Sequence, residues 1–376
     1  MKATTIEVRD RRIGYGESIF LTAEVGCSHL GSAEKMELLL RAAAEAGCDG
    51  VDTFLWDPEE FYWDGVPGTE RYDLYKKLSL QRGEWEDMHR LAVDLGIILY
   101  HTPLDPVSLE LAVSLGTPML NLNSDDMQNP IMLDLAGKTG LPVTFHDIGA
   151  SLGEAEAAVN RLQQAGAQGA IVLHSTLESG DTDEAYACAN LRVINTYRAA
   201  FDRIGAVVGC VEHTTSKHLI YAVAAMDPVL ISKHLNVDEN PDTPDASISV
   251  DVESVRDMVR KVRQVEEALG EGVNSVVVNS DGKMPAGALA RRKSVVSARA
   301  IAAGELVTRE HLAVKRESVP GSLHPWMLHY IVGATARENI PANTLLNLGM
   351  FRDFAAVDWR PEDIRKRRFG TAKNIV

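Results

Sequence analysis

Two histidines follow two consecutive apolar runs of strand length, at matching positions. The runs are Ala206–Val208 and Val229–Ser232, with a segment of helical spacing between them; His213 follows the first run and His234 the second. Parallel strands joined by a helix have their carboxyl ends at one sheet edge, so both imidazoles would emerge there. Converging neutral imidazoles bind metal ions, and Glu24 in the first predicted strand could complete the set. The alternative is that each histidine is a capped or solvated side chain.

The elements that must position these groups alternate between short apolar runs and amphipathic helical segments. From Ile19–Val25 to Val252–Leu269 the chain contains about eight such strand–helix units. The predicted helices include Ala33–Ala46, Arg82–Leu95, Leu152–Ala165, Ala187–Phe201 and Val252–Leu269. The runs are apolar throughout, as in strands that are buried on both faces. This series predicts an α/β fold with a (β/α)₈ TIM barrel over residues 1–283. A doubly wound open sheet is the alternative, but no GxGxxG motif follows the first strand.

The pattern of long strand–helix units gives way to a different pattern after Gly282. Short segments such as Ser294–Ala300 and Val314–Arg316 are bounded by turns that contain Gly and Pro. We therefore expect a small, mostly β domain over residues 284–352. The remaining residues, 353–376, are basic and are expected to form a solvated surface extension.

Composition excludes several classes of function. The 376 residues include 38 Lys and Arg against 53 Asp and Glu, a net charge of −15, which disfavours nucleic acids and anionic membranes as partners. Four scattered cysteines without CxxC spacing indicate neither a zinc site nor a disulfide framework. The start has no signal-like apolar region, and no run approaches ~20 apolar residues. We expect a reduced, cytoplasmic protein without a membrane span.

Several motifs together resemble a known family. The segments are AEVGCSHLG at 23–31, GCVEHT at 209–214, ISKHL at 231–235, and RRKSVVSARAIAAGELVTREHLAVKRESVPGSLHP at 291–325. They resemble the sialic acid synthase family, the N-acetylneuraminate synthases that carry a C-terminal antifreeze-like (SAF) domain. The resemblance covers almost the whole chain.

The resemblance implies a specific reaction. The family condenses phosphoenolpyruvate with the open-chain aldehyde of an N-acylhexosamine, giving a nonulosonic acid and phosphate. A divalent ion, Mn²⁺ with Mg²⁺ or Co²⁺ as alternatives, would be held by His213 and His234, and Glu24 would handle the proton chemistry. A homodimer is implied, in which the SAF domain of one subunit covers the barrel mouth of the other and contributes Arg316.

Other family motifs imply further substrate-binding residues. HTPLD retains Thr102, SDDMQNP retains Ser124, and the NL motif retains Asn190.

The chain departs from the family where the phosphate should bind. Asp52 and Asn121 stand where the family has lysines, and His146-Asp147-Ile148 replaces its STG turn. We assign Asp52, Asn121, His146 and Asp147 to the substrate pocket. Each misplaced charge in a partly desolvated site costs on the order of a few kcal/mol, so this pocket should repel a phosphate.

These departures leave several interpretations open. The donor has changed to a neutral or cationic molecule, or a phosphate is bound differently, through His101, His146 or Lys217, or an unused site has degenerated. The aromatic insert Trp56–Arg71 either walls the new pocket or is a packed surface loop.

The predicted function is a sialic acid synthase-like condensation of phosphoenolpyruvate, or a substitute enol donor, with a sugar aldehyde. The alternatives are a metal-dependent lyase, epimerase or decarboxylase on a related sugar acid, which needs no phosphate donor, and a non-catalytic family member.

Overall fold

The computed structural model describes residues 4–354, apart from 177, 217, 239–242, 244, 271–286, 288–289, 317 and 320. The chain divides into two compact units, Met1–Gly272 and Val273–Val376, each with its own hydrophobic core. The predicted boundary at 283/284, nearly all of the predicted basic extension and Lys217 lie outside the described residues.

The first unit begins with an antiparallel hairpin, β1 (Thr5–Val8) and β2 (Arg11–Gly14). These two four-residue strands were not predicted from the sequence. Their buried residues Ile6, Val8 and Ile13 pack with Phe20 and other side chains from the amino-terminal ends of the barrel strands. A Cβ atom at Gly169 would lie 2.7 Å from Ile6 Cγ1. Only glycine at position 169 therefore allows the hairpin to pack this closely against the barrel. The hairpin therefore closes the bottom of the barrel.

Eight parallel strands form a closed barrel, and the last strand pairs with the first. The predicted TIM barrel is therefore confirmed. The strands, in chain order and in spatial order, are β3 (Phe20–Gly26), β4 (Gly50–Leu55), β5 (Ile98–Pro103), β6 (Leu120–Leu122), β7 (Pro142–His146), β8 (Gly169–Ser175), β9 (Val207–Glu212) and β10 (Leu230–His234).

Helices pack around the barrel, and their apolar faces form one core with the outward side chains of the strands. They are α1 (Ala33–Ala46), α2 (Glu70–Leu78), α3 (Arg82–Leu95), α4 (Pro106–Ser114), α5 (Pro130–Lys138), α6 (Leu152–Ala165), α7 (Asp183–Cys188), α8 (Val193–Phe201), α9 (Leu219–Ala224) and α10 (Val252–Leu269). Within the described ranges, none has the length and apolar content needed to cross a bilayer.

Two helical predictions need correction. The segment 187–201, expected to be one helix, is divided between α7 and α8, because Asn190 adopts a left-handed φ of 39°. The insert Trp56–Arg71 was expected to be irregular, but its end begins helix α2, which Thr69 caps by accepting a hydrogen bond from the Tyr72 amide.

The second unit contains short antiparallel pairs, as expected for a small, mostly β domain. Strand β11 (Lys293–Ser297) pairs with β12 (Leu312–Arg316), and β13 (Thr335–Ala336) pairs with β14 (Phe351–Arg352). A one-turn helix, α11 (Leu328–Ile331), lies between these pairs in the chain. The core of the second unit is formed by apolar side chains such as Val295, Ile331 and Phe351.

The contact between α5 and α6 gives a test of the packing. A Cβ atom at Gly137 would lie 2.4 Å from Ala165 Cβ and 2.8 Å from the Leu162 carbonyl oxygen. We expect Gly137→Ala to lower the free energy of unfolding by about 1–3 kcal/mol, because the two helices must separate to admit the methyl group. Urea denaturation would measure the change.

Gly153→Ala is the matched control, since Gly153 lies on α6 and no atom approaches within 4 Å of the position that the added methyl group would take. Its stability should stay equal or rise by up to about 1 kcal/mol. Equal stability of the two variants would contradict close packing at Gly137.

Candidate active site

Polar side chains from most of the barrel strands meet at the carboxyl end of the barrel. Side chains alternate between the inside and the outside of a closed sheet, so one residue near each strand end points inward. The inward group is Glu24, Asp52, Thr102, Asn121, His146, His213 and His234, which we call the mouth cluster. All are buried, with exposures between 0% for Thr102 and 8% for His213. This is the face at which TIM-barrel enzymes carry their active sites.

The two predicted metal ligands lie side by side in the mouth cluster. The ring centroids of His213 and His234 are 5.3 Å apart. His213 Nδ1 donates to the Thr176 carbonyl oxygen at 2.7 Å, which leaves its Nε2 with a lone pair. His234 Nδ1 is buried without a hydrogen-bond partner. Burial lowers the pKa of both imidazoles, so both are in the neutral form that binds metals.

Glu24 is held beside this pair. Its Oε1 lies 3.3 Å from His234 Nε2, and its Oε2 accepts a hydrogen bond of 3.0 Å from Ser232. Among the described residues, no three His, Cys, Asp or Glu side chains are grouped so that they could hold a metal ion by themselves. As placed, Glu24 therefore does not complete a three-residue ligand set with the histidines. The pair fits two ligand positions of a catalytic site whose other positions are taken by water or substrate oxygens.

The carboxyl groups of Glu24 and Asp52 both resist ionisation. Burial raises the pKa of Glu24 well above its usual value, and the nearby charge of Asp52 raises it further. Burial also raises the pKa of Asp52 to about 7, although hydrogen bonds from Thr102 and Asn121 oppose the shift. Two carboxyls that hold protons near neutral pH are suited to general acid–base chemistry.

Asp52 is the centre of a hydrogen-bond network. Thr102 Oγ1 lies 3.0 and 2.8 Å from its two carboxylate oxygens, and Asn121 Nδ2 lies 2.8 Å from Oδ2. The same amide nitrogen is 3.0 Å from His146 Nε2, and Thr144 donates to Asn121 Oδ1 at 2.6 Å. Where the resemblance led us to expect lysines, the chain thus has a carboxyl and an amide that are bonded to each other.

A buried lysine next to the metal pair does not face the mouth. Lys233 lies between the inward-facing Ser232 and His234, so its side chain is on the outer side of β10. Its Nζ is 2.8 Å from Glu212 Oε2, and both side chains are buried. They line a cavity of about 240 Å³ beside helices α9 and α10. The charge of Lys233 is therefore neutralised outside the barrel interior.

His101 also points away from the mouth. Its Nε2 is 2.8 Å from His89 Nε2, and its ring packs edge-on against Trp85 of helix α3. The suggestion that His101 binds a phosphate in the pocket is not supported by this placement, because Thr102 is the inward residue at this end of β5.

Asp147 belongs to a second buried pair. Its Oδ2 lies 2.9 Å from His174 Nδ1, and its Oδ1 accepts a hydrogen bond of 2.8 Å from the Ser175 amide. His174 Nε2 donates to the Ala189 carbonyl oxygen at 3.0 Å. Burial lowers the pKa of His174, but the hydrogen bond and charge of Asp147 outweigh it, and the net pKa is raised. Both oxygens of Asp147 are thus hydrogen-bonded within the protein, and its substrate role stays a prediction.

Three predicted substrate-binding residues lie outside the mouth cluster. Ser124 is partly buried in the 3₁₀ turn Ser124–Asp126 after β6, and Asn190 is exposed between α7 and α8. Arg316 is exposed at the end of β12 in the second unit, where it pairs with Lys293 in the ladder. The substrate roles of all three stay predictions.

The NeuB family model matches residues 39–274, which is more than half of the chain, and the SAF domain model matches residues 292–352. The chain belongs to the NeuB family. It is an enzyme of the sialic acid synthase type with a C-terminal SAF domain, as its motifs indicated.

Relatives of this NeuB family member cover nearly its full length. An uncharacterized protein of Methanocaldococcus jannaschii is 30% identical over 83% of the chain and 88% of its own length. An N,N'-diacetyllegionaminic acid synthase of Legionella pneumophila is 27% identical over 89% of the chain and 94% of its own length. Among solved structures, the N-acetylneuraminic acid synthetase of Leptospira borgpetersenii has a TM-score of 0.66 at 23% identity. It covers 74% of this chain and 94% of that one, which supports the fold.

Sequence reasoning on this NeuB family member missed three polar residues at the site. Ser232 bonds Glu24, His174 bonds Asp147, and Asp245 is a buried carboxyl that accepts a hydrogen bond from Cys27 Sγ and raises the pKa of Glu24. Ser232 has a readable signal, because it lies two residues before His234 and must share its face. His174 lies in the LHSTL segment at the end of β8, which matches a family motif, but no spacing indicated its pairing with Asp147. Asp245 has no readable signal, since its position depends on how the loop after β10 turns.

The His174–Asp147 pair predicts a pH-dependent stability. A histidine whose pKa is raised by folding stabilises the protein fully below its unfolded pKa of about 6.5, and this contribution is lost as pH rises through the folded pKa. We therefore expect His174→Gln to lower the free energy of unfolding more at pH 5.5 than at pH 9. Urea denaturation at both pH values would measure it.

His218→Gln, at an exposed histidine, is the control and should show little effect at either pH. An equal loss of stability at pH 5.5 and pH 9 for His174→Gln would argue that His174 is neutral in the folded protein.

Proposed function

We propose that this enzyme forms a carbon–carbon bond between a three-carbon enol donor, phosphoenolpyruvate or a substitute, and the open-chain aldehyde of a sugar such as an N-acylhexosamine. Family membership gives the reaction class. The observation that carries the proposal for this chain is the pair of neutral imidazoles, His213 and His234, beside the buried acid Glu24. The names of relatives, such as the legionaminic acid synthase of Legionella pneumophila, agree with a sugar-acid product.

A divalent ion, Mn²⁺ with Mg²⁺ or Co²⁺ as alternatives, would be held by His213 Nε2 and by His234. When bound, such an ion polarises a carbonyl oxygen and orients it for attack. The hydrogen bond from His213 Nδ1 to the Thr176 carbonyl fixes the ring and leaves Nε2 as the ligand atom.

Glu24 is positioned to move the proton of this reaction. When the donor carbon bonds to the aldehyde carbon, the aldehyde oxygen gains negative charge and must take up a proton. Burial and the nearby charge of Asp52 raise the pKa of Glu24, which favours the protonated form that can donate. Ser232 donates to Glu24 Oε2 and holds the carboxyl beside the histidines.

The mouth cluster also favours a second candidate, a lyase, epimerase or decarboxylase on a sugar acid without a phosphate donor. A phosphate charge 4 Å from an ionised Asp52 would be repelled by about 4 kcal/mol at an effective dielectric constant of about 20. The network that locks Asp52 to Thr102 and Asn121 keeps this carboxyl in place.

We expect His213→Ala and His234→Ala each to abolish tight Mn²⁺ binding, because each removes one of two imidazole ligands. Elemental analysis of the purified variants would measure bound metal, and circular dichroism would verify that the barrel is folded. His218→Ala, which removes an exposed histidine of the neighbouring loop, should retain the metal. Full metal content in both variants would overturn the ligand assignment.

A homodimer with exchanged SAF domains is part of the proposal, with Arg316 contributing to the partner's site. We expect Arg316→Ala to reduce turnover without changing bound metal, while Lys315→Ala on the same strand leaves turnover intact. Unchanged turnover in Arg316→Ala would exclude Arg316 from the site. Light scattering of the intact protein would show whether it is a dimer.

The reaction class itself is tested by incubating the Mn²⁺-loaded enzyme with N-acylhexosamines and either phosphoenolpyruvate or pyruvate. Mass spectrometry would detect a product that is three carbons longer than the sugar. Product that requires both the sugar and one of the donors supports the proposed function. A metal-loaded, folded enzyme that makes none from either donor would refute it in favour of the second candidate.

A further inference from the structure

We infer that the donor is a phosphate-free 2-oxo acid with a single negative charge, of which pyruvate is the simplest, and that the enzyme adds its methyl carbon to the sugar aldehyde. This inference rests on the proposed function, because it names the donor for the same site. It follows from the charges, caps and hydrogen bonds around the mouth cluster.

The loops around the barrel mouth are strongly acidic. The stretches between each strand end and the next helix contain many Asp and Glu residues, four of them in the insert after β4: Asp57, Glu59, Glu60 and Asp64. The same stretches contain no arginine and a single lysine, Lys217, which lies outside the described residues. These carboxylates repel a donor with about three negative charges both as it enters the mouth and while it is bound. A monoanion meets about a third of that repulsion.

The described lysines nearest to the mouth are already paired. Lys233 is bonded to Glu212 on the outer side of β10. Lys35, in the first turn of α1, is bonded to Asp238 in the loop after β10. Neither presents an unpaired charge to a phosphate, and the single charge of Arg316, which the proposed function brings from the partner subunit, matches a monoanion.

The helix N-termini at the same face do not replace these cations. A helix N-terminus binds phosphate through its unpaired amides, but these amides are capped by the chain itself. Asp105 accepts from the Ser108 amide at the start of α4, and Asn129 caps α5. Ser151 and Glu154 form a capping box on α6, and Asp251 accepts from the Ser254 amide on α10. Two of these caps are themselves carboxylates.

The interior of the mouth fits an uncharged methyl and a carbonyl better than a phosphate. Asp52, Thr102, Asn121 and Thr144 satisfy one another's hydrogen bonds within the barrel. A phosphate group would need these donors for itself and would leave the buried Asp52 carboxyl without its hydrogen-bond partners. The methyl group of a small monoanion takes no hydrogen bond, so it can lie against Asp52 without breaking this network.

The reaction of such a donor balances with the groups present. One carboxylate of the mouth removes a proton from the methyl carbon, and the electron pair of that C–H bond forms the new bond to the aldehyde carbon. The carbonyl π electrons move to the aldehyde oxygen, which takes a proton from the second carboxyl. The product is a 4-hydroxy-2-oxo sugar acid, and neither water nor phosphate is consumed or released. We assign the first transfer to Asp52 and the second to Glu24, because both carboxyls are buried in the mouth cluster.

Methyl-proton exchange gives a readout that is independent of the sugar. The Mn²⁺-loaded full-length enzyme is incubated with pyruvate in D₂O, and the methyl signal is followed by proton NMR. We expect deuterium to enter the methyl group, and Asp52→Asn to slow the exchange at least tenfold. The same enzyme should release no phosphate from phosphoenolpyruvate with any of the N-acylhexosamines.

A charge-restoring variant tests the electrostatic argument. Asn121→Lys places a cation in the network beside Asp52, and we expect it to improve protection against thermal unfolding by phosphoenolpyruvate relative to the wild type. Asn121→Met, of similar length but uncharged, is the matched control and should not gain this protection. Both variants are first compared with the wild type by circular dichroism. If Asn121→Lys does not fold, the exchange and phosphate-release measurements on the wild type still decide.

The outcomes separate the donor from the reaction class. Sugar-dependent phosphate release from phosphoenolpyruvate by the wild type would overturn the donor inference while leaving the synthase reaction standing. Sugar-dependent product from pyruvate, with methyl exchange, would support both. A folded, metal-loaded enzyme that neither exchanges pyruvate nor releases phosphate would overturn the inference together with the proposed function.

Discussion

The strict alternation of side chains in a closed parallel barrel is the constraint on which the rest of this structure depends. Because the last strand pairs with the first, every strand has a defined inner face, and its final inward residue must point into the mouth. The same alternation turns Lys233 and His101 outward, although each is next to a mouth residue in sequence. A one-residue shift of register in β10 would exchange Lys233 and His234 and remove the paired imidazoles.

Burial then sets the chemistry of the inward groups. Imidazoles without water become neutral and are suited to bind a metal, while carboxyls without water retain protons. In many enzymes a cation next to a buried carboxyl keeps it ionised. Here the partners of Asp52 are a hydroxyl and an amide, so burial dominates and its pKa rises to about 7. The lowered pKa of the imidazoles and the raised pKa of the carboxyls in the mouth cluster thus have one common cause.

Much of this fold could be predicted from the sequence, and the residues show why. Helices α1, α3, α6 and α10 have the predicted bounds, because long amphipathic segments with capping residues specify both their type and their ends. The β1–β2 hairpin was missed because four-residue strands show little alternation. The break between α7 and α8 was missed because nothing in the helical pattern marks Asn190 as left-handed.

The site was predictable only where it follows from strand position. That His213 and His234 would lie together follows from their matching places after two consecutive strands. The engagement of Asp147 by His174 could not be predicted, because it depends on the path of the backbone beyond β7 and β8. The roles of Ser124, Asn190 and Arg316 rest on resemblance alone.

The β1–β2 hairpin, which packs against Gly169, has a kinetic consequence. Because β1 and β2 close the amino-terminal end of the barrel with apolar side chains, ligands can reach the mouth cluster from one side only. A small molecule that contacts the strand ends must then arrive before a larger one that lies above it. We therefore expect ordered addition of the two substrates, with the sugar acting as a dead-end inhibitor when it binds first.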